Sequence, residues 1–365
     1  MTVVIFIIVL AVLIFVHELG HFLTARACGI RVDAFKIGFG PKLIAWRRGE
    51  TEYGINWIPF GGFVRIHGEN PDEEATSGPD ALRSFVNKPR WQQVIVLASG
   101  VLMNFLFAWL IYACVFGTGV TASVDGFEKY AARFQNQRIM ITYVLPASPA
   151  EKAGLKEGDV IESVGSIATG QRQSVEEVQA AVNAGDGGSV TVHYLRGDVL
   201  GTAEIVPLAG FVQGRYAIGI SMDNIADLRL PIWSAVSESL HYTLVMIKET
   251  VIGLYTFLAN IFRGAPNFSD VAGPIGIAGI VGNAAELGFT YLLMITAIIS
   301  INLGVVNLIP FPALDGGRIL FVLIEGAFRR RIPARFANSA NLVGFALLMI
   351  LMVAVTWKDI AKLIS

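Results

Sequence analysis

Residues Met1 to His21 read MTVVIFIIVLAVLIFVHELGH. Met1 to Val16 carries no charged side chain, and the apolar run continues to Thr24, a length typical of a helix that spans a bilayer. His17 and His21 lie four residues apart, so a helix places both imidazoles on one face. At 1.5 Å per residue, His17 lies ~24 Å along a hydrocarbon core ~30 Å thick. The sequence therefore predicts a pair of metal ligands inside the membrane.

Glu18 adds a proton acceptor to this pair. The spacing His-Glu-x-x-His on a helix is a zinc signature in which the glutamate takes a proton from water. A catalytic zinc ion needs a third protein ligand and keeps one position open. The candidate third ligands are His67 and Glu69, in the loop after the first apolar run, and Asp315, after a later one.

Asp315 is the preferred third ligand because of the residues before it, in the block Asn307 to Gly317 (NLIPFPALDGG). Its two prolines end the preceding apolar helix and force extended backbone. Irregular backbone at membrane depth is tolerated where it is buried in protein or lines a wet cavity. The alternative is an interfacial turn aspartate that binds no metal. Asn302 and Asn307 are expected either to hydrogen-bond a substrate backbone or to bridge helices.

The composition is that of a membrane protein with several spans. Of the 365 residues, 54% are hydrophobic and 16% are charged, whereas about 25% charged is usual in soluble domains. The net charge of −1 gives no reason to expect a nucleic-acid partner. The two cysteines, Cys28 and Cys114, are expected to be packed thiols. About four membrane helices are predicted, at Met1 to Thr24, Gln93 to Phe116, Tyr291 to Ile309 and Leu342 to Val355.

The charges between these helices predict their orientation. Residues 26–90 contain 10 Lys and Arg against 8 Asp and Glu, and residues 310–340 contain 5 against 2. Because Lys and Arg favour cytoplasmic loops, both segments are expected inside. Residues 118–288 contain 11 Lys and Arg against 17 Asp and Glu, and this segment is then expected on the outer side of the membrane. The metal site therefore lies nearer the cytoplasmic face.

One further apolar segment, Trp233 to Phe262, contains titratable side chains at Glu238, His241, Lys248 and Glu249. A charge at mid-span costs ~3 kcal/mol on insertion scales. We therefore predict an amphipathic helix on the outer membrane surface. The alternative is a helix that crosses the bilayer.

A β-rich unit is predicted from about Arg138 to Met222. Ser174 is a favourable cap for a helix through Val182, because two acidic residues follow in the first turn. Alternating apolar residues and turn signals delimit the strands. The predicted strands are Ile139 to Val144, Val160 to Val164, Val190 to Leu195 and Thr202 to Val206, and Tyr216 to Ile220 closes the unit.

Taken together, these motifs resemble the site-2 protease family of intramembrane zinc metalloproteases, in its bacterial RseP-type (regulator of sigma-E protease) branch. The resemblance covers most of the chain. The matching pieces are His17 to His21, Gly38-Phe39-Gly40-Pro41, Ile58 to Val64, Phe85 to Trp91, Asn104, and the block from Asn302 to Gly317.

This resemblance implies that His17, His21 and Asp315 bind Zn²⁺ and that Glu18 is the catalytic base. It also implies a membrane-associated β-hairpin region over residues 32–66, where composition alone indicates a cytoplasmic loop. The expected fold is a polytopic α-helical membrane protein with this hairpin and an inserted β-rich domain.

The β-rich unit is similar to a circularly permuted PDZ domain. Ser148-Pro149-Ala150, Ala153-Gly154-Leu155 and Gly158 to Ile161 carry the match. A PDZ groove binds an extended peptide or a C-terminus as an added strand. By analogy, Tyr216 to Ile220 would bind the peptide carboxylate, which makes Gly219 a candidate substrate-binding residue. The best-known relative has two tandem PDZ domains, whereas this chain has room for one.

The resulting domain prediction has four parts. Residues 1–118 form an N-terminal membrane region, 126–225 the PDZ domain, 226–288 the surface helix and linker, and 289–365 a C-terminal membrane region.

The function implied is hydrolysis of peptide bonds in or near the transmembrane segments of single-span membrane proteins, such as anti-sigma factors or remnant signal peptides. The expected location is the bacterial inner membrane, with the PDZ domain outside the cytoplasm. The alternative is a catalytically inactive membrane scaffold that presents the PDZ domain. A transporter would be expected to show internal repeats, and the sequence shows none.

Overall fold

The computed structural model describes residues 1–364 except 70–75, 126, 166, 169–173, 198, 213–214 and 265–271. The chain divides into two compact units, which are treated separately below. The first comprises Met1–Val115 and Trp233–Ser365, and the second comprises Phe116–Ile232.

Helices make up most of the first unit, and two short ones belong to the second. In chain order they are α1 (Thr2–Ala27), α2 (Arg90–Thr118), α3 (Pro149–Lys152), α4 (Val175–Ala184), α5 (Ile232–Phe262), α6 (Pro274–Leu287), α7 (Phe289–Asn307), α8 (Asp315–Phe328) and α9 (Ala334–Ile364).

Among the described residues, five helices are long and apolar enough to cross a membrane. Four of them, α1, α2, α7 and α9, cover the four predicted membrane segments. The fifth lies within α5, the segment predicted to rest on the membrane surface. The chain is therefore a multi-pass membrane protein, and the surface position of α5 stays a prediction.

Helix α5 packs along two of the other apolar helices. The indole Nε1 of Trp109 on α2 donates to the carbonyl oxygen of Val236 over 3.1 Å. Further along α5, the Thr250 hydroxyl donates to Oδ1 of Asn302 on α7 over 3.1 Å. Glu238, whose charge favoured a surface position, is buried in the structure. Helix α5 thus contacts α2 near its beginning and α7 further along, while many of its apolar side chains are exposed.

The β-hairpin region implied by the resemblance is present as β1 (Val32–Arg48) and β2 (Thr51–Ile66), which pair antiparallel with several register shifts. Residues 34–37 of β1 pair with residues 52–55 and also with residues 62–65 of β2. The start of β1 therefore lies between two parts of β2. Residues 62–66 have their described pairing on one side only, which makes them an edge of this sheet.

Helix α1 packs in two apolar clusters, one before and one after the two histidines. This packing fixes the position of His17 and His21 along the helix axis relative to the neighbouring elements. At its beginning, Val9 and Leu13 pack with Val281 of α6. At its end, α1 packs against the hairpin, α2 and α8. The buried residues of that second cluster are Phe22, Ala25, Ile30, Val32, Phe35, Val64, Ile66, Phe85, Val96, Leu97 and Val322.

The second unit is built on one antiparallel sheet. Its strands are β3 (Val120–Ser123), β4 (Phe134–Val144), β5 (Val160–Val164), β6 (Ile167–Ala168), β7 (Val190–Arg196), β8 (Val199–Ile205) and β11 (Ile220–Leu228), in the order β3-β11-β4-β5-β7-β8 with β6 beside β5. A separate pair is formed by β9 (Leu208–Val212) and β10 (Arg215–Ala217).

Sequence patterns located most of these elements to within a few residues. The predicted strand Val160 to Val164 is β5, and the helix after Ser174 is α4, where the Ser174 backbone N–H donates to Glu177 over 3.4 Å. Helix α4 packs its apolar face, including Val178 and Val182, onto the sheet core.

Candidate metal centre

His17 and His21 point from one face of α1 toward Asp315. The Nε2 atom of His17 lies 3.0 Å from Oδ2 of Asp315, and that of His21 lies 3.4 Å from the same oxygen. One ligand atom from each of the three residues lies within 4.8 Å of the others. Both histidines are buried. The structure thus brings together the three residues predicted to bind a metal.

The turn before α8 brings Asp315 to this point. The chain leaves α7 at Asn307 and enters α8 at Asp315, with Ala313 between them at a φ of 76°. A Cβ atom on Gly316 would lie 2.3 Å from the Leu308 and Ile309 carbonyl oxygens, and one on Gly317 would lie 2.2 Å from the Phe311 carbonyl oxygen. Because real Cβ atoms do not approach oxygens so closely, the turn closes only with glycine at both positions.

Two more glycines bring α1 and α2 together at the site. A Cβ atom on Gly20 would lie 2.4 Å from the carbonyl oxygen of Ser99. A Cβ atom on Gly100 would lie 2.4 Å from Nε2 of His21 and 2.8 Å from Cε1 of His17. The space directly over the imidazoles therefore exists because residue 100 has no side chain.

Hydrogen bonds orient both imidazoles. Nδ1 of His21 lies 2.8 Å from the carbonyl oxygen of Val96, which accepts its proton and leaves the Nε2 lone pair directed at Asp315. Nδ1 of His17 lies 3.2 Å from Nδ2 of Asn104, and Asn104 is completely buried. Partners on the far ring nitrogen are typical of histidines that bind metal ions.

The arrangement fits a divalent metal ion. Oδ2 of Asp315 is buried, yet it makes no hydrogen bond with any described residue although two imidazole nitrogens are within 3.4 Å. A cation among the three atoms would satisfy this oxygen and both nitrogens. Two histidine nitrogens and one carboxylate oxygen form a donor set used by catalytic zinc sites.

Glu18 lies in the same cavity as these residues. Its Oε2 accepts a hydrogen bond of 2.9 Å from the backbone N–H of Val64 on β2. The cavity has a volume of about 310 Å³ and is also lined by Glu69 and Arg318, which form an ion pair. The predicted ligands, the predicted base and the edge of the hairpin thus share one space.

The remaining predicted site residues lie elsewhere. Asn302 accepts the hydrogen bond from Thr250, and Asn307 is the last residue of α7; neither lines the 310 Å³ cavity. His67, an alternative third ligand, has its Nδ1 3.8 Å from Asp33 and is not part of the ligand group.

Gly219 lies in the second unit. It lines a cavity of about 740 Å³ whose walls include α4 and the start of β11.

Sequence reasoning missed three contributors to the site. The Val64 N–H and the Val96 carbonyl are backbone groups, so no residue type marks them. Arg318 was detectable, because it follows Asp315 by three residues and would share its helix face. Glu69, a candidate metal ligand by sequence, is paired with Arg318 instead.

Comparisons with known proteins identify the family of the chain. The model of peptidase family M50 matches residues 5–351. A putative zinc metalloprotease of Clostridium perfringens is 35% identical over 349 residues, which is 95% of each chain. The regulator of sigma-W protease RasP of Bacillus subtilis is 29% identical over 437 residues and 99% of each chain.

Among solved structures, the PDZ domain of an SdrC-like protein from Listeria monocytogenes matches 23% of this chain and 85% of that domain, at 26% identity and a TM-score of 0.21. The family match and the alignments to both relatives cover nearly the entire chain. The family match includes both segments that form the histidine and aspartate cluster. The chain belongs to peptidase family M50 and is a zinc metalloprotease of the site-2 type.

Proposed function

We propose that this protein hydrolyses peptide bonds within or near the transmembrane segments of membrane proteins, at a zinc ion held by His17, His21 and Asp315. The observation that carries the proposal is the convergence of these three ligand atoms within 4.8 Å, in a cavity shared with Glu18. Because α1 is an apolar helix long enough to span a bilayer, the reaction would take place below the lipid headgroups.

Glu18 would serve as the general base. Zinc, when bound, supplies polarisation of the scissile carbonyl group and lowers the pKa of water. The Val64 N–H fixes Oε2 of Glu18, and among the described residues Oε1 has no hydrogen-bond partner. Glu18 would accept the proton of the attacking water through this free oxygen and later release it to the leaving amine.

Asn104 would set the tautomer of His17. With Nδ2 of Asn104 donating to Nδ1 of His17, the proton of the imidazole would be on Nε2, and Oδ1 of Asn104 would have no described partner. A half-turn of the amide places Oδ1 where it accepts the proton of Nδ1. Nε2 is then free to bind metal, and the buried amide oxygen is satisfied.

The edge of β2 would hold the substrate. A substrate helix has to unwind before hydrolysis, because helical hydrogen bonds shield its carbonyl groups. Residues 62–66 of β2 are paired on one side only, and Val64 in this edge contacts Glu18. An extended segment that pairs with this edge would lie beside the general base. Asn302 and Asn307, which lie on α7 outside the 310 Å³ cavity, would hydrogen-bond the substrate backbone away from the metal ligands.

The second unit supports the assignment of residues 126–225 as a PDZ domain. The 740 Å³ cavity lies between α4 and the start of β11, and Gly219 lines it. At Ile220–Asn224, β11 pairs with β4, whereas its pairing with β3 covers Ile225–Leu228. The other edge of residues 220–223 would accept a peptide strand or a C-terminus, since the Asn224 carbonyl oxygen already accepts from the Val124 N–H. We place this domain outside the cytoplasm, on the charge pattern of the loops.

The substrates would be single-span proteins of a bacterial inner membrane. A relative is named regulator of sigma-W protease, so anti-sigma factors and remnant signal peptides are the substrate classes to test first. Residues 1–118 and 289–365 would be embedded in the bilayer, with residues 226–288 on its outer surface.

The decisive experiment compares the purified parent with Glu18→Gln for zinc content and for cleavage of a model single-span membrane protein. We expect one zinc ion per chain in both proteins and cleavage only by the parent. A parent that binds zinc but cleaves no membrane protein would favour the scaffold. Equal cleavage by both proteins would show that Glu18 is not the base.

A further inference from the structure

We propose that Arg318 is a further catalytic residue, which stabilises the negative charge that develops on the substrate carbonyl oxygen during hydrolysis. The inference rests on the proposed function and adds a residue to it. Among the described residues, two cationic side chains, Arg65 and Arg318, line the 310 Å³ cavity with the predicted ligands and Glu18. Of the two, Arg318 is the one held by a described ion pair, and it lies on the helix that carries Asp315.

Arg318 lies on the same helix as Asp315, and this helix directs its side chain into the cavity. The two residues are three apart in the first turn of α8, so their side chains lie on the same face. Both line the cavity together with Glu18, and the charge of Arg318 interacts with that of Glu18. A substrate carbonyl brought between the metal ligands and Glu18 would therefore lie beside the guanidinium.

The position of this cation opposes the local helix electrostatics. The N-terminal end of a helix carries a partial positive charge, so an arginine in the first turn is unfavourable there. Glu69, at the end of the hairpin, compensates by pairing with Nη1 of Arg318. Among the described residues, Nε and Nη2 of Arg318 have no protein acceptor. The arginine is thus fixed by one nitrogen while the donors on its other two stay available.

The available donors suit the charge that forms in the reaction. Water adds to the carbonyl carbon, and the electron pair of the C=O bond moves to the oxygen, which becomes negative. The proton lost by water goes to Glu18 and then to the amide nitrogen as the C–N bond breaks. The oxygen is charged only between these events, so a guanidinium held beside it lowers the barrier without tightening substrate binding.

The test measures kcat, KM and zinc content of the full-length protein for Arg318→Gln, with a model single-span substrate. Losing one transition-state donor typically lowers kcat by about 10²–10³-fold. We expect a loss of that size with unchanged KM and zinc content. The affinity for a peptidyl phosphinate, whose anionic tetrahedral group resembles the transition state, should fall in parallel.

Two further variants separate catalysis from a structural ion pair. Glu69→Gln keeps the guanidinium but loosens it, so its kcat should fall less than that of Arg318→Gln. The double exchange Arg318→Glu with Glu69→Arg restores an ion pair but not the cation on α8, and should remain as slow as Arg318→Gln.

A matched control removes another ion pair of the same helix. Arg90 pairs with Glu325 of α8 over 2.6 Å, away from the cavity, so Arg90→Gln should keep the parental kcat. Parental kcat in Arg318→Gln, or recovery in the double exchange, would overturn the role of Arg318. Failure of the parent itself to cleave would instead overturn the proposed function, and this inference with it.

Discussion

The backbone N–H of Val64 donates to Oε2 of Glu18 over 2.9 Å, so the edge of the hairpin and the predicted base are joined directly. Val64 is also buried in the cluster that packs β2 against α1 and α2. The position of Glu18 therefore depends on the fold of the hairpin as well as on α1. An extended substrate paired with the neighbouring positions of this edge would lie beside the base.

This relationship predicts the effect of removing one hydrogen bond. Val64→Pro deletes the N–H, and proline is tolerated at an edge where that group points away from the sheet. Glu18 then loses its fixed orientation beside the edge of the hairpin. We expect cleavage to fall by at least about 10-fold, the cost of roughly one charge-assisted hydrogen bond, with zinc content unchanged.

Val64→Ala is the matched control for this variant, because it shortens the same side chain but keeps the N–H. It should cleave much faster than Val64→Pro. If the two variants had equal rates, packing of the side chain rather than the hydrogen bond would explain the loss.

A second prediction concerns the space over the imidazoles. Gly100→Ala would place a Cβ atom 2.4 Å from Nε2 of His21 in the present geometry. The ring would have to rotate away from Asp315, so we expect the variant to lose most of its zinc, measured by elemental analysis of the purified protein.

The control for Gly100→Ala is Gly253→Ala in helix α5, where no described atom lies within 4 Å of the new Cβ. Both variants exchange a helical glycine for the better helix former. Full zinc content in both would mean that the glycine at position 100 is not required by the metal ligands.

The group of His17, His21 and Asp315, which we propose to bind zinc, could be predicted from sequence because its signals are local. His17 and His21 share a helix face by spacing alone, and Asp315 follows two prolines that end a helix at membrane depth. The hairpin is different, since residues 34–37 pair with two separate parts of β2 through several register shifts. Such non-local pairing has no period that a single sequence would reveal.

The contacts of helix α5 were not predictable either. Its four titratable side chains favour the membrane surface, which stays a prediction, but the sequence does not reveal that Glu238 is buried or that Thr250 bonds to Asn302 of α7. A neighbouring helix that buries a charged side chain changes the free-energy cost of placing that charge in the membrane. A hydropathy pattern does not contain this effect, because it depends on the residue type alone.

A third prediction concerns Asn104 and the tautomer of His17. Asn104→Leu removes the only described partner of Nδ1, so the proton on that nitrogen is no longer held there. Loss of such a partner typically weakens metal binding by about 10–100-fold. Zinc affinity, measured by competition with a chromophoric chelator, should fall within that range.

Asn104→Asp provides the rescue for this prediction. Its carboxylate oxygen still accepts the Nδ1 proton, so its zinc affinity should exceed that of Asn104→Leu. Equal weakening in the two variants would indicate that Asn104 acts only by filling space between α1 and α2.

The last prediction tests the groove of the second unit. Gly219 has a φ of 82°, and a Cβ atom there would lie 2.4 Å from the Cβ of Ser148. Gly219→Ala should therefore displace the loop between β10 and β11 and weaken binding of a C-terminal peptide by at least about 10-fold, the effect of ~1.4 kcal/mol. Gly158 has a φ of 89° but no described atom within 4 Å, so Gly158→Ala carries the same backbone strain without the clash. Peptide affinity, measured by fluorescence anisotropy on the full-length protein, should fall in the first variant and persist in the second. If both lost affinity equally, backbone strain would account for the effect, and the groove beside Gly219 would not be the peptide site.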